Sequence, residues 1–240
     1  MAIKQRRFPG SHHILFDTSL TQAADPSLFS PYYWEAKDAI TGTAQGRGTT
    51  LFVEENTHKW VLRHYKRGGL IGRLLDDQYL YVSAENSRPF QEFRLLHAMR
   101  QLSLPVPVPV AAHIQRKGLI YKANLITALI ENSVDLHQCL VYESLEKPLW
   151  EKIGQTIARF HQHQIYHHDL NVRNIMLDKE ENVWLIDFDR CAQQKGQGWK
   201  QGNIDRLQRS FKKEQARSPV FNWSEADWQA LISGYQSAGA

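Results

Sequence analysis

The chain has 240 residues, 42% of them hydrophobic and 22% charged, with a formal net charge of +4. This excludes a disordered tail, a collagen-like repeat and a short disulfide scaffold, and the length suffices for one large core or two lobes. The modest basic excess suits an anionic partner such as nucleotide, nucleic acid or an acidic lipid surface, without choosing among them.

The first residues are basic, but only Ile14 to Phe16 are apolar before Asp17, so no secretory segment is expected and the cytoplasm is. From about Ala39 to Tyr65 the pattern is strand-like: turn glycines, then Leu51 to Val53, a turn at Asn56 to His58, and KWVLRHY, together predicting a hairpin. RPFQEFRLLHAMRQL predicts a helix between Pro89 and Pro105, with Phe93, Leu96, Met99 and Leu102 near helical spacing. Pro105, Pro107 and Pro109 break the most apolar stretch, Leu102 to Ile114, so no spanning helix is expected. LIYKANLITALIEN predicts two short strands meeting around Ala123 and Asn124.

Beyond Asn132 the helical period dominates. Trp150, Ile153, Ile157 and Phe160 fall on one face of a helix ending near His163. A loop, HHDLNVRN, leads into IMLD, a turn at Lys179 to Asn182, and the apolar VWLI that stops at Asp187. Trp150 and Trp184 are expected in the core. The two cysteines, Cys139 and Cys191, have no CxxC partner, which predicts buried thiols in a reducing compartment. The expected fold class is α+β: a β-rich portion over residues 1–130 and a small, mainly helical one over 131–240.

The chemistry concentrates in HHDLNVRN and VWLIDFD. Asp169 and Asn174 are five apart on a loop, and Asp187 follows Asp169 by 18 residues at the end of a buried strand. A buried strand ending in a carboxylate is costly without a partner. Asn174 could join Asp187 around a hard cation such as Mg²⁺. Asp169 would then be free to accept a proton from an attacking hydroxyl.

These segments resemble the protein-kinase-like phosphotransferases: HHDLNVRN is similar to the catalytic loop H-R-D-x-x-x-x-N, and IDFD to the metal-binding D-F-G segment. The resemblance implies a two-lobed fold, with residues 1–130 carrying the glycine-rich loop and ATP-binding sheet and 131–240 the catalytic loop, metal segment and acceptor site. Gly46 and Gly48 match the loop that covers the ATP phosphates. Arg63 stands where the phosphate-binding lysine is expected, with Lys66 as the fallback, and Glu92 on the following helix is its natural ion-pair partner. Asn171 replaces the lysine that protein kinases acting on Ser/Thr carry two residues after the catalytic Asp, Asp189 replaces the glycine of D-F-G, and no A-P-E follows. These departures favour a non-protein acceptor.

A closer resemblance runs through GRGTT, LRHYKRGGLIGRLL, FRLL, LPVPVPVAA, HHDLNVRNIMLD, WLIDFDRC and GNIDRLQRSFKKE, in that order over nearly the whole chain. It is to the lipopolysaccharide kinases. It implies transfer of the γ-phosphoryl of ATP to the 4-OH of 3-deoxy-D-manno-octulosonic acid (Kdo) on a lipid A precursor, at the cytoplasmic face of a Gram-negative inner membrane. Such an acceptor calls for cations beside apolar surface. Arg63, Lys66, Arg67 and Arg73 among Leu70, Ile71, Leu74 and Leu75 form one such stretch, suited to peripheral contact with an anionic membrane. Arg206, Arg209 and Lys213, near helical spacing, form another. Rival readings are a sugar or antibiotic phosphotransferase of the same superfamily and a non-catalytic basic binding protein. The acids of the loop argue against nucleic-acid binding, and nothing indicates an obligate protein partner. The eleven histidines do not make a zinc pattern, and His167 is expected to brace the loop.

Overall fold

The computed structural model describes residues 2–21, 24–45, 49–66 and 77–239. The expected site residues Gly46, Gly48, Arg67 and Arg73, and the apolar Leu70, Ile71, Leu74 and Leu75, lie outside them. The chain divides into two compact units, one of residues 1–98 and 107–129 and the other of 99–106 and 130–240.

Among the described residues, the first unit is built on an antiparallel sheet of eight strands: β1 (Ile3–Phe8), β2 (His12–Asp17), β3 (Ile40–Gln45), β4 (Thr49–Glu55), β5 (His58–His64), β6 (Tyr79–Leu80), β7 (Pro109–Lys117) and β8 (Ile120–Ala128). Its order is β1-β2-β7-β8-β5-β4-β3, with β6 paired to β8. Residues opposite one another in paired strands share a face, and alternate residues face opposite ways. The row Leu51, Leu62, Ile126, Ala111 and Phe16 therefore lies on one face, where it joins a core with Phe29 and Trp34. Those two aromatics come from a 3-10 turn at Pro26–Phe29 and the short helix α1 (Pro31–Glu35). Full burial of a side chain as large as Trp34 is worth about 2–3 kcal/mol, and its ring nitrogen donates to Leu28 O at 2.9 Å. Arg63, next in β5, faces the other way, toward α2 (Arg88–Gln101), which buries Phe90, Phe93 and Leu96.

Two expectations change here. β8 is one continuous strand, because Ala123 and Asn124 pair with β7 on one side and Asn124 and Leu125 with β5 on the other. Leu102 lies beyond the end of α2 and is exposed, since the helix closes at Gln101 and Ser103 turns with a positive φ of 54°.

The second unit holds β9 (Ser133–Asp135), α3 (Leu136–Tyr142), α4 (Lys147–Gln162), β10 (Ile165–Tyr166), β11 (Ile175–Asp178), β12 (Val183–Leu185), β13 (Ala192–Gln193), α5 (Lys200–Arg217) and α6 (Glu225–Ser237). The expected apolar stripe of α4 is buried. α4 and α6 approach closely at two glycines: a Cβ on Gly154 would stand 1.9 Å from Leu231 O, and one on Gly234 2.0 Å from Glu151 O. Phe211 of α5 sits among Trp150, Trp223 and Trp228. Trp184, expected in the core, is only half-buried, since its indole nitrogen reaches outward to Asp178 Oδ2 at 2.9 Å. Cys139 is buried as expected, whereas Cys191 is half-buried.

Candidate active site

Residues 167–174 connect β10 to β11 and end in a 3-10 turn at Val172–Asn174. His167 is buried and its Nε2 donates to Ile186 O at 3.0 Å, while its ring packs on Phe188. Burial pushes the His167 pKa down, outweighing the Ile186 carbonyl and the Asp187 and Asp169 charges, which favour the cation. The ring is therefore a neutral brace. Asp169 offers its backbone carbonyl to two amide groups, Asn171 Nδ2 at 2.8 Å and Asn174 Nδ2 at 2.9 Å. Its carboxylate Oδ1 accepts from the Arg206 guanidinium. Asn171 caps the 3-10 turn through Oδ1, which accepts from Arg173 N at 2.9 Å.

β11 and β12 form the hairpin read from IMLD and VWLI. Ile186, just past it, is held on both sides, its N–H donating to Asn174 O at 3.0 Å and its carbonyl accepting from His167. Asp187 follows with φ of +63°, a left-handed conformation that Asp tolerates better than most residues. The chain thus leaves the strand direction at the carboxylate. Phe188 is buried against Phe160 and His167, which fixes the peptide beyond. Asp169, Asn174 and Asp187 are in this way tied together through His167 and Ile186.

α5 reads the loop in register. Asn203 Nδ2 donates to His167 O at 2.7 Å, Arg206 pairs with Asp169, Ser210 Oγ accepts from Val172 N at 3.0 Å, and Glu214 accepts from Arg173 at 2.9 Å. Positions 203, 206, 210 and 214 lie on one helical face. Asn203 also takes His161 Nε2 at 3.1 Å, and burial lowers the His161 pKa to about 4. Partial burial alone would push the Glu214 carboxyl up, but the Arg173 bond and charge outweigh it and hold it below its usual value. Arg209 and Lys213, expected beside Arg206, are exposed on α5. Only Arg206 of these three has its head group on the loop.

In the first unit, Arg63 Nη2 stands 2.5 Å from both carboxylate oxygens of Glu92 and 3.1 Å from Tyr65 Oη. The Tyr65 hydroxyl donates to the same carboxylate. Glu92 is 3% exposed, while the Arg63 side chain keeps 25% of its surface exposed, so the carboxylate end of the expected pair is the buried one. Lys66 is half-buried just past β5. On the opposite face, sequence reading did not see a chain of side chains running His12, His113, Asn124, His64, Asp77 and Lys122. Burial, then the charges of His12, His64 and His13, lowers the His113 pKa to about 3.

Residues 32–235 match the Lipopolysaccharide kinase (Kdo/WaaP) family. The chain belongs to this family. It is accordingly a kinase, and its likeness to curated relatives runs over both units. Proteins named 3-deoxy-D-manno-octulosonic acid kinase are 44% identical over 235 residues in Vibrio vulnificus (strain YJ016), covering 98% of this chain and 99% of the relative. The figures are 42% over 223 residues in Vibrio cholerae serotype O1, covering 93% and 94%, and 41% over 230 residues in Haemophilus influenzae (strain 86-028NP), covering 92% and 93%.

Sequence reading also missed Tyr65 and the partners Asn203, Ser210 and Glu214. The α5 stripe had a signal: polar residues at 203, 206, 210 and 214 alternate with the buried Ile204, Leu207 and Phe211. That period marks a half-buried polar edge but not what lies against it.

Proposed function

We propose that the protein transfers the γ-phosphoryl of ATP to a hydroxyl of Kdo, the 4-OH, on a lipid A precursor during lipopolysaccharide core synthesis. The observation that carries this reading is the conjunction of a braced Asp169, tied through His167 and Ile186 to Asn174 and Asp187, with relatives named for the Kdo acceptor over the whole chain. The fold reading belongs with it: a two-lobed protein-kinase-like arrangement, divided near residue 130, with the ATP-binding sheet first and the catalytic loop second.

Asp169 orients the acceptor hydroxyl and takes its proton as the oxygen attacks the γ-phosphorus and ADP departs. Gly46 and Gly48 cover the phosphates. Arg63, held by Glu92 and Tyr65, orders the ATP site, with Lys66 as the alternative cation for the phosphates. Asn174 and Asp187 fit Mg²⁺. The Asn174 amide nitrogen is committed to Asp169 O, so its oxygen is the atom that would hold the ion, and Asp187 would add a hard carboxylate one residue past the Ile186–Asn174 bond. Among the described residues no cluster of three His, Cys, Asp or Glu could hold a metal. The ion, when bound, neutralises charge building on the phosphates.

Arg206, Arg209 and Lys213 meet the anionic groups of the acceptor, with Arg67 and Arg73 as further candidates. No helix among the described residues is long and apolar enough to cross a membrane. The acceptor's lipid would instead bring the protein to the cytoplasmic face of the inner membrane as a peripheral partner of its anionic surface. ATP consumption in Mg²⁺ buffer, with and without a Kdo-bearing lipid A precursor, tests the reading. Consumption should rise with the lipid, and equal rates would refute it.

A further inference from the structure

α5 does more for the catalytic loop than carry basic charge. Its four polar contacts fall at 203, 206, 210 and 214, and they meet residues 167, 169, 172 and 173 of the loop in the same order. Three of the four hold parts of the loop that do not react, namely a carbonyl, an N–H and an exposed guanidinium. Arg206 is the one of the four that holds the carboxylate of Asp169.

Two polar side chains of the loop itself are engaged elsewhere. Asn171, two residues past Asp169, spends its amide nitrogen on Asp169 O and its oxygen on Arg173 N. Arg173, the cation of the loop, points to Glu214 and His137, each 2.9 Å from its Nη2. Arg206 arrives on a helix that Asn203 and Ser210 pin on either side. A guanidinium can grip a carboxylate as a planar fork, which fixes direction as well as charge. The pair stays within reach of solvent, with 45% of the Arg206 and 29% of the Asp169 side-chain surface exposed. The contact can therefore orient the carboxylate without closing it off from an acceptor.

We propose that Arg206 is a positioning residue for phosphoryl transfer, supplied from α5, which sets the direction of the Asp169 carboxylate toward the acceptor hydroxyl. This rests on the functional reading above and separates one role of Arg206, acceptor contact, from another. A cation that only contacts the acceptor changes its KM. A cation that aims the base changes kcat once ATP and acceptor are saturating.

The test is steady-state kinetics of the full chain with ATP, Mg²⁺ and a Kdo-bearing lipid A precursor, for wild type, Arg206→Gln, Arg206→Lys, Asp169→Asn and the Arg206→Gln/Asp169→Asn double variant. Misdirecting the base should lower kcat of Arg206→Gln about 10- to 100-fold at saturating acceptor, with the ATP KM within about twofold of wild type. Arg206→Lys should recover part of the loss, and it carries the test if the glutamine variant does not fold. Because Arg206 acts through Asp169, the double variant should turn over no more slowly than Asp169→Asn alone. Lys212→Gln, an exposed change on the same helix, should leave kcat unchanged. A rise in acceptor KM with kcat intact, or losses that multiply in the double variant, would overturn the proposal. Absence of wild-type transfer to the Kdo lipid would instead overturn the reading on which it rests, and the proposal with it.

Discussion

Two arginine–carboxylate pairs of the protein, Arg63 with Glu92 and Arg206 with Asp169, differ in burial. Arg63 and Glu92 meet inside the first unit with Tyr65 as a third member, and Glu92 is almost wholly out of water. Arg206 and Asp169 meet at a half-exposed edge of the second unit. Removing one partner of a buried pair strands a charge in low dielectric and costs about 3–5 kcal/mol, whereas an exposed pair contributes about 0–1 kcal/mol. The same chemistry thus serves as a structural clamp in one place and as an adjustable contact in the other. A carboxylate in the role proposed for Asp169 could not be sealed in as Glu92 is, because its acceptor must reach it.

This contrast can be broken by substitution, and the largest effect should come from the reacting carboxylate. Asp169→Asn should lower kcat by about 10²- to 10⁴-fold while ATP binding and the unfolding midpoint stay near wild type. Near-normal turnover in the folded variant would remove Asp169 from the chemistry. Glu92→Ala should do the reverse, costing about 3–5 kcal/mol in chemical denaturation and raising the ATP KM of whatever remains folded. Adding Arg63→Ala to it should cost less than the sum of the two single changes, since both act through one contact. Strict additivity would deny that the pair works as a unit. Arg206→Gln should change stability by no more than about 1 kcal/mol, and a loss matching that of Glu92→Ala would erase the contrast.

Acid should weaken both units in the same direction. His113 in the first unit and His161 in the second are neutral when folded, with pKa values of about 3 and about 4, both lowered chiefly by burial. In the unfolded chain each titrates near 6.5, so between that value and about 4 the unfolded state binds more protons. Stability is intact above the unfolded pKa and falls as the pH drops through this window, by up to about 1.4 kcal/mol per pH unit for each histidine. Denaturation midpoints measured from pH 7 to pH 4 check this, and a flat profile would mean the rings are not held neutral. The smallest effect concerns the exposed cations. Arg209→Gln with Lys213→Gln should weaken acceptor use more than ATP use, and added salt should do the same, because exposed charges are screened over roughly 8 Å at physiological ionic strength.

Legibility in the sequence followed the range of the interaction. The stripe of α4, the α2 helix and the β11–β12 hairpin were readable because their periods are local, and so was the spacing from Asp169 to Asn174 and Asp187. The Arg63–Glu92 pair was readable only by the order of motifs, since 29 residues separate its partners. What stayed hidden was long-range and polar. Arg206 was legible as a cation but not as the partner of Asp169, 37 positions away, and His12 gave no sign of meeting His113 across 101. Hydrogen-bond partners depend on strand order and helix docking, which no short window of sequence contains. Trp184 misled for a related reason: its size suggests the core, yet its ring nitrogen needs an acceptor, and Asp178 supplies one at the surface.

The central claim is that this kinase delivers phosphate to Kdo through Asp169. Transfer of label from the γ-position of ATP, followed in parallel onto a Kdo-bearing lipid A precursor, an aminoglycoside and a peptide, tests it most directly. The account predicts label on the Kdo sugar of the lipid alone, at its 4-OH, and its loss in Asp169→Asn. Label on the aminoglycoside or the peptide with none on the Kdo lipid would contradict it.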